Sequence, residues 1–277
     1  MSKATHEMSD RRPILILDSG VGGLTVLREV RFKLPFERLV YVIDDAGFPY
    51  GNWEEEPLKQ RLVDLVGAFI ERHDPKAILI ACNTAFTLAG EALRSAFPDR
   101  TFVGTVPAIK PAAARTRSGL ISVLATPGTV QRAYTRDLIA AHARDCHVRL
   151  VGSDQLAEMT EAHLRGDNLD DTDLLREIGG CFLEEGGRRT DIVVLACTHY
   201  PFLANRFREV APWPVDWLDP AEAIARQLAR VTQQRAEIRD ASAKGESRPD
   251  RAILTSGCCA PVTERLLNGF GLAVCAD

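Results

Sequence analysis

ILIACNTAF occupies residues 78–86, and VVLACTHYP follows at 193–201. Each is a short run of Ile, Val and Leu, then Ala-Cys, then hydroxyl-bearing and other polar residues. A continuous apolar run of this length suits a strand covered on both faces, as in a parallel sheet between helix layers. Each cysteine therefore falls at the carboxyl end of a buried strand, and the chain does this twice.

Working outward, similar runs predict strands at 13–17, 39–43, 77–81, 101–105, 120–124, 147–151, 191–196, 215–218 and 252–255. Helical patterns lie between them, at about 23–33, 55–73, 84–96, 107–116, 127–143, 153–165, 171–187, 201–209, 220–236 and 260–268. Alternation of this kind means an α/β fold. The chain also resembles itself. ILILDSGVGG (14–23) and LISVLATPGT (120–129) are each a strand followed by a glycine-containing turn into a helix. The Ala-Cys strands come at similar distances behind them: Asp18 to Cys82 is 64 positions and Thr126 to Cys197 is 71. Two α/β halves of matching plan follow, and in such sheets ligands bind beyond the carboxyl ends of the strands. If the halves face each other, the two thiols meet across one cleft. The polar, turn-rich stretch at 231–251 reads as an exposed connection, after which a late strand returns to complete the first half. The expected division is 13–106 plus 219–277 for one domain and 107–218 for the other, with 1–12 as a loose polar tail.

The 277 residues carry 45% apolar and 26% charged side chains, ordinary for a globular protein. A net charge of −4 and the lack of a basic stripe argue against nucleic-acid binding. No apolar run is long enough for a membrane span, and the first dozen residues lack the apolar middle of a signal peptide. Seven cysteines without framework spacing favour free thiols in a reducing, cytoplasmic setting.

Four motifs carry candidate chemistry. Glycines 20, 22 and 23 of DSGVGG let the backbone present N–H groups to an anion at a helix start, although a plain strand–helix turn has the same composition. Asp18 at that strand end is either a proton-transfer group or a capping carboxylate. Cys82 and Cys197 share a context in which a helix N-terminus lowers a thiol pKa; Cys146, Cys181, Cys258, Cys259 and Cys275 lack it. No pair has metal-site spacing, so no metal is expected. His199 is a general acid, a thiol partner or a structural histidine. FPYG (48–51) is a turn whose backbone and Tyr50 hydroxyl would suit a ligand carboxylate, or a turn and nothing more.

Moving an α-proton from one face of a carbon to the other needs a base and an acid on opposite sides. Two thiols fit, one ionised and one protonated. No Walker loop or dinucleotide fingerprint is present, and Lys110 in PAIKPA is a weak match to a pyridoxal lysine. The reading is cofactor-independent proton transfer.

These residues, with VPAIKPAA, VLATPGTVQRAYTRDLI, VGSDQLAEMTEAHLRG and ACTHYPFL in the same order, resemble the glutamate racemases of the aspartate/glutamate racemase superfamily, of proteobacterial type. The resemblance covers nearly the whole chain. It implies two flavodoxin-like doubly wound domains related by pseudo-symmetry, with the active site in the cleft between them. It implies interconversion of L- and D-glutamate without cofactor, supplying D-glutamate to peptidoglycan. By motif, Cys82 matches the thiol acting on D-glutamate and Cys197 the one acting on L-glutamate, with Asp18 and His199 assisting. Ser19, Pro49, Tyr50, Gly51, Asn83, Thr84 and Thr198 match substrate-holding positions, and Glu161 a supporting carboxylate. A homodimer and a peptidoglycan-precursor activator are partners the resemblance leaves open. Phe86 and Ala196 depart from the family pattern, as do Asp44 to Gly47, and all are expected to border the cleft. The competing readings are an aspartate or broader amino-acid racemase, a Cys-His hydrolase using Cys197 and His199, and a non-catalytic gyrase-inhibiting binding protein.

Overall fold

The computed structural model describes residues 12–233 and 249–275. In chain order the elements are β1 (Ile14–Asp18), α1 (Leu24–Lys33), β2 (Leu39–Ile43), α2 (Glu55–His73), β3 (Ala77–Ile80), α3 (Asn83–Ala96) and β4 (Phe102–Gly104). Then come α4 (Ile109–Arg115), β5 (Leu120–Ala125), α5 (Pro127–Gln131), α6 (Ala133–His142), β6 (His147–Gly152), α7 (Leu156–Leu164), α8 (Asp171–Ile178), β7 (Glu184–Glu185) and β8 (Arg188–Arg189). The remainder is β9 (Ile192–Ala196), α9 (Ala204–Val210), β10 (Asp216–Leu218), α10 (Ala221–Gln233), β11 (Asp250–Leu254), α11 (Pro261–Gly269) and β12 (Leu272–Val274).

Two parallel sheets organise these elements. One has the order β12-β11-β2-β1-β3-β4, the other β10-β9-β5-β6. Numbered within each half, both contain the order 2-1-3-4: β2-β1-β3-β4 and β6-β5-β9-β10. The direction of winding reverses between β1 and β3, and again between β5 and β9, so the ligand crevices open at the ends of those strands. Asp18 ends β1 and Cys82 follows β3; Thr126 follows β5 and Cys197 follows β9. The repeat expected from the sequence is thus a repeat of topology.

Burial on both faces accounts for the unbroken apolar runs. Ile14 and Ile16 pack with Leu24, Leu27, Ile224 and Leu228 on one side of the first sheet. Leu15 and Leu17 pack with Leu58, Leu62, Val66 and Leu93 on the other. In the second sheet Leu124, Val193 and Leu195 meet Leu156, Leu174 and Phe207, while Ile121, Val123 and Val194 meet Ile109 and Ala112. Each fully buried aliphatic contributes about 1.5–3 kcal/mol, which favours an apolar residue at every position of the central strands.

Several expected elements differ. The helix expected at 171–187 ends at Ile178; a 3₁₀ turn at Gly179–Cys181 and the β7–β8 hairpin replace the rest. Gly186 and Gly187 have φ of 58° and 75°, a left-handed turn that closes the hairpin and excludes a helix. The helix expected at 127–143 breaks at Arg132, whose φ/ψ of −73°/145° is extended. That expected at 201–209 is a 3₁₀ turn, Tyr200–Leu203, running into α9. β12, pairing with β11 at the edge of the first sheet, was not expected. β6 is an edge strand and only partly covered. The tail at 1–11 and the connection at 234–248 lie outside the described residues.

Candidate active site

Cys82 is the N-cap of α3, with φ/ψ of −93°/123°. Its thiol is buried, which raises its pKa strongly, and the Asp18 carboxylate raises it further; the Ala85 N–H in the first turn of α3 favours the ionised form against both. Ser19 Oγ lies 3.9 Å from Cys82 Sγ and 3.4 Å from Asp18 Oδ1. Asp18 therefore reaches the thiol through Ser19. Desolvation raises the Asp18 pKa, offset in part by the charge of His199, the Thr198 hydroxyl and the N–H groups of Ser19 and Gly23.

Cys197 is set differently. A 3₁₀ turn follows it rather than an α-helix. His199 takes the place of the helix terminus, with Nδ1 3.8 Å from Cys197 Sγ. Its Nε2 faces Glu161 Oε1 at 3.0 Å. Burial alone would lower the His199 pKa; the bonds to Cys197 and Glu161 outweigh it and raise the pKa well above the usual value. Burial would likewise raise Glu161, and His199 with the Val21 N–H draws it down instead. The pair is an imidazolium–carboxylate couple beside the second thiol. A charge on Cys197 would also raise the pKa of Cys82, a smaller effect than burial or Asp18.

The glycine loop does bind an anion, but the anion is the chain's own. Val21 N–H donates to Glu161 Oε1 at 2.9 Å. The His199 ring lies against Gly22, where a Cβ would come within 2.5 Å of Nδ1. Glycine is needed there for close packing between the halves. Thr198 Oγ1 donates to Asp18 at 2.9 Å and Thr25 Oγ1 to the Thr198 carbonyl at 3.2 Å, closing one side of the cleft.

On the other side, Thr84 Oγ1 lies 2.9 Å from Thr126 Oγ1, and Thr129 Oγ1 is 3.2 Å from Thr126 Oγ1. Gly51 approaches the same place, its Cβ position 3.6 Å from Thr126 Cβ. Both polar atoms of the Asn83 amide are buried without a hydrogen-bond partner, which leaves them open to a ligand. Thr126 and Thr129 went unnoticed as site residues, although TPGT occupies in the second half the place of DSGVGG in the first.

Tyr50 does not offer its hydroxyl to the cleft. It is 2% exposed and donates to Asp44 Oδ2 at 2.6 Å. Asp44 also takes two bonds from Arg61, at 2.7 and 2.6 Å, and one from Thr255 Oγ1 at 2.6 Å. This network pins the turn that carries the cis Phe48–Pro49 bond. Phe86 and Ala196 are corrected too. Phe86 lies in the core against Gly104, where a Cβ would come within 2.1 Å of the ring. Ala196 is buried against the α4 side of the second sheet. Burial pushes the Cys181 thiol up to about 12, as suits a packing residue.

Among the described residues no group of three or more His, Cys, Asp or Glu is placed to hold a metal ion, and no helix is long and apolar enough to cross a membrane. Residues 27–228 match the family described as Asp/Glu/Hydantoin racemase. The chain is 61% identical over 266 residues to a glutamate racemase of Sinorhizobium fredii, covering 96% of this chain and 98% of that one. A glutamate racemase of Agrobacterium fabrum is 59% identical over the full length of both chains. The crystal structure of Escherichia coli glutamate racemase in complex with L-glutamate and the activator UDP-MurNAc-Ala superposes with a TM-score of 0.83 at 37% identity, covering 95% of this chain and 97% of that one. A glutamate racemase isoform of Bacillus anthracis gives 0.78 at 26% identity, covering 96% and 97%. Two thiols at equivalent strand ends of two like-wound sheets, together with these likenesses, place the chain in the Asp/Glu/hydantoin racemase family, among the glutamate racemases.

Proposed function

We propose that this chain interconverts L- and D-glutamate by a two-thiol mechanism that needs no cofactor. The observation that carries the reading is the pair of buried cysteines, one in each half, each with its own acid–base partners: Ser19 and Asp18 for Cys82, His199 and Glu161 for Cys197. In the L-to-D direction the Cys197 thiolate takes the α-proton, and the Cys82 thiol returns one to the opposite face. The turnover ends with Cys197 protonated and Cys82 ionised, and the reverse reaction restores the first state. The imidazolium of His199 stabilises the Cys197 thiolate. The α3 N-terminus stabilises that of Cys82. Asn83 and Thr84, at that same helix start, present donors for the α-carboxylate, where charge develops as the proton leaves. Ser19, Thr198 and the Pro49–Gly51 backbone complete the enclosure.

The domain division 13–106 plus 219–277 and 107–218 belongs to the same reading, supported by β11 pairing with β2 and β10 with β9. So do a role in supplying D-glutamate to peptidoglycan in the cytoplasm and activation by a peptidoglycan precursor of the kind named for the Escherichia coli relative.

Incubation of either glutamate enantiomer in D2O, with no added cofactor, tests the function. The expected result is decay of optical rotation to zero with deuterium at the α-carbon. Hydrolysis of esters or amides without racemisation would assign the Cys197–His199 pair to a hydrolase instead.

A further inference from the structure

The break in the helix expected at 127–143 falls on Arg132, and that residue is an anomaly. It is 9% exposed, the most buried Lys or Arg among the described residues. Its Nε and Nη1 are shut off from solvent without a hydrogen-bond partner. The nearest carboxylate, Glu55, lies 3.9 Å from Nη2 and is itself mostly exposed. The Arg61–Asp44 fork, with two bonds at 2.7 and 2.6 Å, shows how this chain satisfies a guanidinium when the acceptor is its own. A buried guanidinium with donors unmet is unfavourable unless an anion arrives to meet them.

Its position says which anion. Arg132 Nη2 and Thr84 Cγ2 flank Gly128, at 3.5 and 3.8 Å from that residue's Cβ position. Thr84 joins the Thr126–Thr129 hydroxyl cluster, and Gly51 closes on Thr126. Arg132 thus stands at the edge of the cleft where α3, α5 and the Pro49–Gly51 turn meet. Charge points the same way. Asp18 and Glu161 place two carboxylates in the cleft, and its other cation, His199, is taken up by Glu161. A dicarboxylate with one ammonium carries net negative charge, and such a cleft would repel it without a further cation.

We infer that Arg132 is a specificity-determining residue whose Nε and Nη1 receive the distal carboxylate of the amino-acid substrate. The inference rests on the glutamate reading above and deepens it. A guanidinium fork matches a carboxylate in plane and spacing, as an ammonium does not. With the α-carbon between the thiols and the α-carboxylate at Asn83 and Thr84, the distal carboxylate falls toward Thr126, Thr129 and Arg132.

The test compares Arg132→Gln, Arg132→Lys and Glu55→Gln in the full chain, with kcat and KM for both glutamate enantiomers. Thermal upshifts by D-glutamate and by D-glutamine provide a readout of binding without turnover. Arg132→Gln is expected to raise KM about 10- to 100-fold, the loss of a hydrogen bond to a charged group, with a smaller fall in kcat. It should also erase the preference for D-glutamate over D-glutamine in the thermal shift. Arg132→Lys should fall between, and Glu55→Gln should leave KM within about twofold, since an exposed ion pair contributes little. An unchanged KM in Arg132→Gln, or an equal loss in Glu55→Gln, would show that Arg132 only ties the two halves together. If Arg132→Gln does not fold, an unchanged KM in Arg132→Lys overturns the proposal and a raised one with a diminished D-glutamate upshift supports it. Failure of the wild-type chain to racemise glutamate is a different result, which overturns the glutamate reading and this inference with it.

Discussion

Thr198 Oγ1 donates to Asp18 Oδ2 at 2.9 Å, joining residues 180 positions apart. The bond ties the neighbour of one thiol to the carboxylate linked through Ser19 to the other. Thr198→Val removes that donor from a fully buried carboxylate, and an unmet buried partner costs about 1–3 kcal/mol. The expected outcome is a drop in urea midpoint of that size, with kcat lowered in both directions. A Thr198→Val protein with wild-type stability and rate would mean that the bond is dispensable.

On the two-thiol mechanism proposed above each turnover uses both thiols, so Cys82→Ala and Cys197→Ala should each abolish racemisation from either enantiomer. Near-normal racemisation in either single variant would remove the two-base mechanism. Protection from alkylation by glutamate, read by mass spectrometry, should be seen at Cys82 and Cys197 and not at Cys258, which is exposed.

His199 and Asp18 lie beside different thiols, His199 in direct contact with Cys197 and Asp18 linked to Cys82 through Ser19. Asp18→Asn and His199→Asn should lower kcat unequally in the two directions. The enantiomers have equal free energy in water, so kcat/KM must stay equal for both, which checks the data internally. Equal small effects on kcat from both variants would assign these residues a structural role.

The Glu161–His199 couple predicts a pH effect with a definite sign. Burial opposes the charged imidazole, but Cys197 and Glu161 raise its pKa above the usual value. Its contribution to stability is complete below the unfolded histidine pKa, about 6.5, and is lost as pH rises through the higher folded value. Glu161→Gln removes one of the raising partners. The basic limb of the stability profile should then move to lower pH, and the limb of kcat with it. Limbs that stay in place would separate His199 from both.

Asp44 predicts the acid side. Burial would raise its pKa, yet the bonds from Arg61, Thr255 and Tyr50 lower it. The unfolded carboxyl, near about 3.9, binds its proton first, so this contribution is present above that pH and lost as pH falls toward the lower folded value. Asp44→Asn should flatten the fall in urea midpoint between about pH 5 and 3. Tyr50→Phe keeps the Arg61 fork and should raise KM for glutamate a few-fold, by loosening the turn, with Tm little changed.

Phe86 and Gly104 are a steric pair. A Cβ on Gly104 would sit 2.1 Å from the Phe86 ring. Gly104→Ala should cost about 1–3 kcal/mol by overpacking, and adding Phe86→Ser should recover part of it. Additive losses in the double variant would show that the two positions do not share space.

The α/β class, the two halves and the two thiol-bearing strand ends were all legible in the sequence, because they rest on local pattern. Strands buried on both faces must be unbroken apolar runs, and the cysteines, Asp18 and His199 lie within a few residues of where such runs stop. Short or conditional elements were not legible. β12 is an edge strand at Leu272–Val274 that was not expected, and the turn at Gly186-Gly187 decides against a helix that the flanking apolar residues also fit. The partners of each group were decided only by the tertiary structure. No local pattern tells that the glycine loop receives Glu161 from the other half, that Tyr50 turns to Asp44 instead of the cleft, or that Phe86 points at Gly104. These contacts depend on how two independently wound sheets face each other. Arg132 shows the limit most clearly: its residue type was in plain view, but its burial with two unmet donors, at the break between α5 and α6, is seen only in the fold.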